Sequence, residues 1–181
     1  MVYIFLADGF EELEALSPVD VLRRAGIPVT TVGVGSRTVT GSHNISVICD
    51  TTIDEAGSLA DMEMVVLPGG MPGTTNLENN PVVQRALDQA AEKGAWICAI
   101  CAAPSVLGHK GLLKGKRAVC FPGFEDALEG AALSGDSVCT DGKIITAKGA
   151  GAALEFALAL VRGLKGDAAA QKIKETMQCS R

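Results

Sequence analysis

The stretch Ala95-Trp-Ile-Cys-Ala-Ile-Cys-Ala-Ala-Pro-Ser-Val-Leu-Gly-His-Lys110 decides the fold of this chain. It begins as a continuous apolar run of strand length and continues directly into a segment of helical character. An uninterrupted apolar strand is typical of a parallel sheet that helices cover on both faces. We therefore predict a strand over 95–100 and a helix over 102–110, with a tight turn at Cys101 between them.

The same alternation of apolar strands and helices extends in both directions from this stretch. No repeat, linker or low-complexity segment interrupts it, so residues 1–181 are expected to form a single α/β domain with a mostly parallel sheet. The other predicted strands are 2–7, 27–34, 45–49, 64–67, 117–120, 137–140 and 143–147, and the other predicted helices are 10–25, 81–93, 151–164 and 167–177.

Composition and charge exclude several classes of function. The net charge is −5 and no basic run is present, so neither non-specific nucleic-acid binding nor attachment to an anionic membrane is expected. The chain shows no secretory signal and no apolar stretch of membrane-spanning length, which predicts a cytoplasmic protein. Its six cysteines are accordingly expected to be reduced thiols.

Cys101 is the principal candidate for chemistry. A cysteine between a strand and a helix resembles the nucleophile elbow, in which a sharp turn presents the side chain above the sheet. The small neighbours Ala99, Ala102 and Ala103 permit such a turn. Because a helix N-terminus stabilises negative charge, a reactive thiolate is predicted. The alternative is a packed core cysteine.

Cys98 and Cys101 form a C-x-x-C pattern, but a redox pair is not expected. Cys98 lies within the predicted strand, and three strand residues separate the Cα atoms by roughly 10 Å, too far for a disulfide. Cys98, Cys120 and Cys139 are predicted to be core thiols, whereas the position of Cys49 is open and Cys179 is taken as incidental. The spacings indicate no zinc site, and no metal is expected.

A second strand end, Leu67-Pro-Gly-Gly-Met-Pro-Gly73, carries an unusual glycine-rich loop. Parallel strands end at the same edge of a sheet, where α/β proteins bind ligands, so this loop is expected near Cys101. Backbone amides at Gly69 and Gly70 could then stabilise an oxyanion. The alternative is a plain tight turn without function.

Glu14 is the carboxylate expected to accompany the cysteine. It lies on an otherwise mainly apolar stripe of the first helix, whereas Glu11 and Glu12 fit a solvated first turn. Burial beside a thiolate would raise its pKa and suit it to donate or accept a proton. The alternative is that all three glutamates are exposed.

Neither histidine is well placed to activate the thiol. His109 lies eight residues beyond Cys101 on the same predicted helix, roughly 12 Å along the axis. His43 belongs to a loop of unknown position; it is either an exposed loop residue or a group that supports a site across a dimer interface.

The chain resembles the ThiJ/PfpI family, also called the DJ-one superfamily, and within it the bacterial ThiJ/YajL-like branch. The resemblance covers nearly the whole chain and is carried by 6–15, 18–26, 65–70, 99–104 and 149–158. It implies a flavodoxin-like three-layer α/β sandwich, helices on both faces, and a homodimer. The family's reactive cysteine matches Cys101, its site glutamate Glu14, and its oxyanion amides Gly70 and Ala102.

Two positions depart from the family pattern. Phe121 stands where many members have a histidine, which argues against a Cys-His dyad, although phenylalanine is familiar in the bacterial branch. His43 roughly matches an arginine that some members extend across the dimer.

The resemblance leaves three functions open. The first is a cofactor-independent glyoxalase or deglycase that acts on small aldehydes or glycated substrates through Cys101 and Glu14. The second is an oxidative-stress sensor or redox-regulated chaperone that uses oxidation of Cys101. The third is a hydrolase or amidotransferase-like enzyme, which would require His43 or a group of a partner chain to reach the thiol.

Overall fold

A seven-stranded sheet forms the centre of the protein in a computed structural model that describes residues 1–179. Six strands run parallel, and one edge strand, β10, runs antiparallel to its neighbour. The spatial order is β10 (Val138–Asp141), β11 (Ile144–Ala147), β7 (Trp96–Ile100), β6 (Met64–Leu67), β1 (Val2–Leu6), β2 (Val29–Gly33) and β5 (Thr51–Thr52), numbered in chain order.

Helices cover both faces of this sheet, which confirms the predicted three-layer α/β fold. Along β1, alternate side chains enter opposite cores, since Ile4 packs on one face and Phe5 on the other. One face is covered by α1 (Glu12–Arg24), α5 (Ala153–Lys165) and α6 (Asp167–Thr176), and the other by α2 (Gly73–Glu78), α3 (Pro81–Lys93) and α4 (Pro104–His109).

Two small sheets and two short 3-10 helices complete the described chain. The strands β3 (Thr38–Thr40) and β4 (Ser46–Ile48) form an antiparallel hairpin, and β8 (Arg117–Ala118) pairs in parallel with β9 (Ala132–Leu133). The 3-10 helices span Glu125–Ala127 and Ala150–Ala152. Among residues 1–179, no helix combines the length and the apolar composition that crossing a membrane requires.

Local sequence signals explain the elements that were predicted most closely. Helix α3 has the predicted bounds because Asn80 accepts hydrogen bonds from the amides of Val82 and Val83, while Gly94 ends the helix at a φ of 65°. Strand β6 also has the predicted bounds. The predicted hairpin across 141–142 is confirmed by the antiparallel pairing of β10 with β11.

Several predicted bounds were wrong. The helix predicted from residue 10 begins at Glu12, and the helix predicted from residue 102 begins at Pro104, because residues 101–103 form a turn. The strand predicted over 117–120 is reduced to the two residues of β8, and α2, β3, β5 and β9 were not predicted.

The register brings the strand ends of interest to one edge. Leu67 of β6 pairs with Ala99 of β7, and Ala147 of β11 pairs with Ile100. The loops that leave β6, β7 and β11 therefore begin beside one another, and the residue that follows β7 is Cys101.

Candidate active site

Cys101 occupies a sharp turn at the end of β7. Its φ is 66°, in the left-handed region that residues with a side chain rarely adopt. Two hydrogen bonds hold this conformation: the Cys101 amide donates to the Ala147 carbonyl at 2.8 Å, and its carbonyl accepts from the Phe121 amide at 2.8 Å. Strain maintained by surrounding contacts is a property of nucleophile elbows, so the predicted elbow is confirmed as a geometry.

Two backbone amides surround the sulfur. The amides of Gly70 and Ala102 face the Cys101 thiol and act to lower its pKa, which favours its ionised form. Gly70 presents its amide from the loop after β6 with a φ of 86°, a conformation that suits glycine. The glycine loop and the cysteine turn, predicted from separate strand ends, are thus brought together at one sulfur atom.

Gly69 allows the two loops to approach each other. A methyl group at this position would lie 2.6 Å from the Cβ of Cys101 and 2.6 Å from Oε2 of Glu14, too close for either contact. The absence of a side chain at Gly69 therefore permits the thiol and the carboxyl to approach each other.

Glu14 is fully buried and reaches the same point from α1. Its Oε2 accepts a hydrogen bond from the Gly69 amide at 2.9 Å, and Oε1 has no hydrogen-bond partner of regular geometry among residues 1–179. The carboxyl lies close enough to the Cys101 thiol for each group to shift the pKa of the other. The prediction that Glu14 points inward from its stripe is confirmed.

The pKa of Glu14 is raised from 4.5 to about 7. Burial is the main cause, and the charge on Glu11 adds to it, whereas the Cys101 thiol and the Gly69 amide act in the opposite direction. A carboxyl with this pKa holds a proton in part of the molecules at neutral pH, so Glu14 can both accept and return one.

The pKa of Cys101 shifts in the direction opposite to the expectation. The pKa of the Cys101 thiol is raised from 9.0 to about 12, chiefly by burial and then by the charge and hydrogen bonding of Glu14, while the amides of Gly70 and Ala102 act in the opposite direction. The expectation from the helix start omitted desolvation and the neighbouring carboxylate, and both of these favour the protonated thiol. At neutral pH the pair therefore carries at most one negative charge, and the sulfur acquires that charge when its proton passes to an ionised Glu14.

His43 and Glu12 form a separate pair at the start of α1. The Nδ1 atom of His43 lies 2.7 Å from Oε2 of Glu12, and the His43 amide donates to Oε1 at 2.7 Å. Burial alone would raise the pKa of Glu12, but these hydrogen bonds hold it below its ordinary value. Glu12 is buried, so its predicted place in a solvated first turn was wrong.

Neither imidazole activates the thiol within the described chain. His43 is exposed and bonded to Glu12, and His109 lies 2.5 Å from Glu78 through Nδ1. The ligand atoms of Glu11, Glu12 and His43 lie within 4.8 Å of one another, the one such group in residues 1–179. Hydrogen bonds within that group already use the Glu12 carboxylate and Nδ1 of His43.

The sequence profile of the DJ-1/PfpI family matches residues 1–163. The chain belongs to this family. A Parkinson disease protein 7 homolog from Danio rerio is 38% identical over 180 residues, which cover 94% of this chain and 93% of the relative. The resemblance inferred from the five sequence segments is thereby confirmed.

Two further DJ-1/PfpI relatives bear on chemistry. A glutathione-independent glyoxalase, DJR-1.2, from Caenorhabditis elegans is 32% identical over 158 residues, which cover 86% of this chain and 83% of the relative. The solved structure of an oxidised DJ-1 from Toxoplasma gondii superposes with a TM-score of 0.95 at 34% identity, covering 99% of this chain and 98% of that one.

The sequence missed several contacts around this DJ-1/PfpI site. It did not predict that the Phe121 amide and the Ala147 carbonyl hold the Cys101 backbone, or that Glu12 binds His43. All of these contacts join distant chain segments, and residue periodicity carries no signal for them.

Proposed function

We propose that this protein is a cofactor-independent glyoxalase that converts 2-oxoaldehydes such as methylglyoxal into 2-hydroxy acids. One observation carries the proposal: a cysteine thiol, two backbone amides and a partly protonated carboxyl converge at the end of one strand. The named glyoxalase among its relatives supports the same chemistry.

The first step forms a bond between sulfur and the aldehyde carbon. Glu14 takes the thiol proton, and the sulfur of Cys101 adds to the carbonyl while the π electron pair moves to oxygen. The amides of Gly70 and Ala102 stabilise that oxygen, as oxyanion-hole donors do. Protonation of the oxygen gives a hemithioacetal.

The later steps need no external oxidant or reductant. Removal of the proton from the former aldehyde carbon and its return to the former ketone carbon convert the hemithioacetal into a thioester. The first carbon is oxidised and the second is reduced, so the electrons balance. Water then cleaves the thioester and releases the hydroxy acid and the free thiol. The carboxyl of Glu14 can carry the proton between these positions.

The same machinery extends to deglycation. A glyoxal adduct on an amine or thiol carries a hemiaminal or hemithioacetal carbon at the oxidation level of the aldehyde. Release of the amine or thiol regenerates the aldehyde on which Cys101 acts. We therefore propose glyoxal adducts as a second substrate group.

The decisive assay measures lactate formed from methylglyoxal without glutathione. We expect Cys101→Ala to abolish it and Cys179→Ala, at the other half-buried cysteine, to retain it. Equal rates in wild type and Cys101→Ala would refute the proposal.

A second candidate function is redox sensing through Cys101. Two observations favour it: an oxidised neighbour shares the fold, and Cys101 is half-buried whereas Cys49, Cys98, Cys120 and Cys139 are buried. Stepwise oxidation by peroxide would give a sulfinate held by the amides of Gly70 and Ala102. Mass spectrometry after mild peroxide tests this, and the candidate fails if Cys101 is spared while the buried thiols oxidise.

We also propose that the protein forms a homodimer. Leu13 and Leu16 of α1 and Ile45 and Ile48 at the β3–β4 hairpin expose large apolar side chains, and Glu12 joins the two elements through His43. Large apolar side chains exposed on neighbouring elements are typical of interfaces. Analytical ultracentrifugation should show a dimer that Ile48→Glu weakens. A monomeric wild type would refute the proposal.

A further inference from the structure

Two exposed apolar side chains belong to the loops that hold the Cys101 sulfur and backbone. Met71 is 52% exposed and Phe121 is 46% exposed, although large apolar side chains are generally buried. The proposed mechanism uses neither side chain. Among the exposed large apolar residues, these two are set apart because their loops contact Cys101.

Phe121 is fixed relative to Cys101 through the backbone. Its amide donates to the Cys101 carbonyl at 2.8 Å, and Cys101 in turn donates to Ala147 at the end of β11. The ring packs against Gly149, where an added methyl group would lie 3.2 Å from Cδ2. One side of the ring thus packs on the loop after β11 while the remainder meets solvent at the edge of the sheet that carries Cys101.

Met71 approaches from the loop on the other side. It directly follows Gly70, whose amide faces the Cys101 thiol and acts to lower its pKa. Within residues 1–179, its side chain makes one polar contact: the Thr75 hydroxyl lies 3.9 Å from the Met71 sulfur. An unbranched thioether of this kind adapts to a variable apolar surface and contacts aromatic rings favourably.

We propose that Phe121 and Met71 form an apolar rim that selects 2-oxoaldehydes with a large apolar substituent, aryl groups above all. This inference rests on the proposed glyoxalase function and names the preferred substrate class. In this proposal the amides of Gly70 and Ala102 hold the reacting carbonyl at the sulfur, and the substituent on the adjacent carbonyl contacts the two loops that bear Phe121 and Met71. An aryl ring buries more apolar area there than a methyl group does, and it stacks on phenylalanine.

The chemistry is unchanged for such a substrate. Phenylglyoxal adds to the sulfur through its aldehyde carbon, the same proton transfer oxidises that carbon and reduces the ketone carbon, and water releases mandelate. No oxidant or reductant is consumed.

The test compares two substrates in each variant without glutathione. We measure kcat/KM for phenylglyoxal and for methylglyoxal in wild type, Phe121→Ser, Phe121→Leu and Met71→Ser. We expect the kcat/KM for phenylglyoxal divided by that for methylglyoxal to fall about 10-fold in Phe121→Ser, which is the scale of a modest apolar contact. The same ratio should fall about 3-fold in Phe121→Leu and in Met71→Ser. The control Leu133→Ser, at an exposed leucine of β9, keeps the wild-type ratio.

The ratio makes the result independent of partial unfolding, because both substrates are measured on the same active fraction. A wild-type ratio in Phe121→Ser would overturn the inference while leaving the proposed function intact. Consumption of both glyoxals that does not depend on Cys101 would overturn the proposed function, and the inference with it.

Discussion

The Oε2 atom of Glu14 lies 2.9 Å from the amide nitrogen of Gly69, and this hydrogen bond joins the first helix to the loop after β6. The two residues are 55 positions apart, so the fold alone brings them together. This hydrogen bond fixes the orientation of the carboxyl, and its other oxygen, Oε1, has no hydrogen-bond partner of regular geometry among residues 1–179.

Replacement of Glu14 by glutamine separates the charge of this group from its shape. The ionised carboxyl raises the pKa of the Cys101 thiol, so Glu14→Gln should lower that pKa and speed alkylation by iodoacetamide several-fold at about pH 8. Turnover of methylglyoxal should nevertheless fall about 100-fold, since glutamine cannot carry a proton. Parallel alkylation of Cys101→Ala subtracts the other thiols. Slower alkylation in Glu14→Gln would contradict the assigned direction of the pKa shift.

The same variant has a pH-dependent effect on stability. The folded protein holds the Glu14 proton up to a pKa of about 7, whereas the unfolded chain releases it near 4.5. Wild-type stability therefore falls as the pH rises between these values and then levels off. From about pH 5 to about pH 8, the free energy of unfolding of Glu14→Gln should rise relative to wild type by up to about 3 kcal/mol. Urea titrations at both pH values measure it; a constant difference would argue against a raised pKa.

Gly69→Ala should disrupt the site by steric overlap. The new methyl group would meet the Cβ of Cys101 and Oε2 of Glu14, both at 2.6 Å, so the carboxyl must move away from the thiol. We expect turnover to fall at least about 100-fold, as it does when reacting groups are misplaced. Gly135→Ala is the matched control, because no atom lies within 4 Å of its added methyl group. Full activity in Gly69→Ala would show that the two groups need not approach each other.

The backbone of Cys101 should reveal its strain in a pair of inactive variants. A φ of 66° disfavours any residue with a Cβ, whereas glycine adopts it freely. Cys101→Gly should therefore be more stable than Cys101→Ala by about 1 kcal/mol. Urea denaturation measures the free energy of unfolding of the two variants. A more stable alanine variant would contradict the inference that the Cys101 backbone is strained.

The parts of the fold that the sequence predicts best are those with local signals. Asn80, Pro81 and Gly94 specify both ends of α3 within a few residues of chain. Strands of two residues such as β5 and β8 carry no such signal, because pairing with a neighbour defines them. The same distinction explains why the turn predicted at Cys101 extends through residues 102–103, where a helix was expected.

The features of the candidate site also fall into those with a local sequence signal and those that depend on distant segments. Cys101, Gly70 and Glu14 could be selected from strand ends and a helical stripe, because each stands out within its own segment. The burial of Glu12 could not, since it depends on the loop that carries His43. The raised pKa of Cys101 likewise depends on desolvation and on a carboxylate from another element.

The hydrogen bond from the Cys101 amide to the Ala147 carbonyl means that the site can be completed only after residue 147 has been synthesised. Synthesis proceeds from the N-terminus, so a nascent chain has completed Glu14, the glycine loop and Cys101 well before β11 exists. Until residue 147 emerges and the last central strand inserts beside β7, the elbow lacks one of the contacts that bend it. The pKa shift of the Cys101 thiol described above therefore belongs to the completed domain.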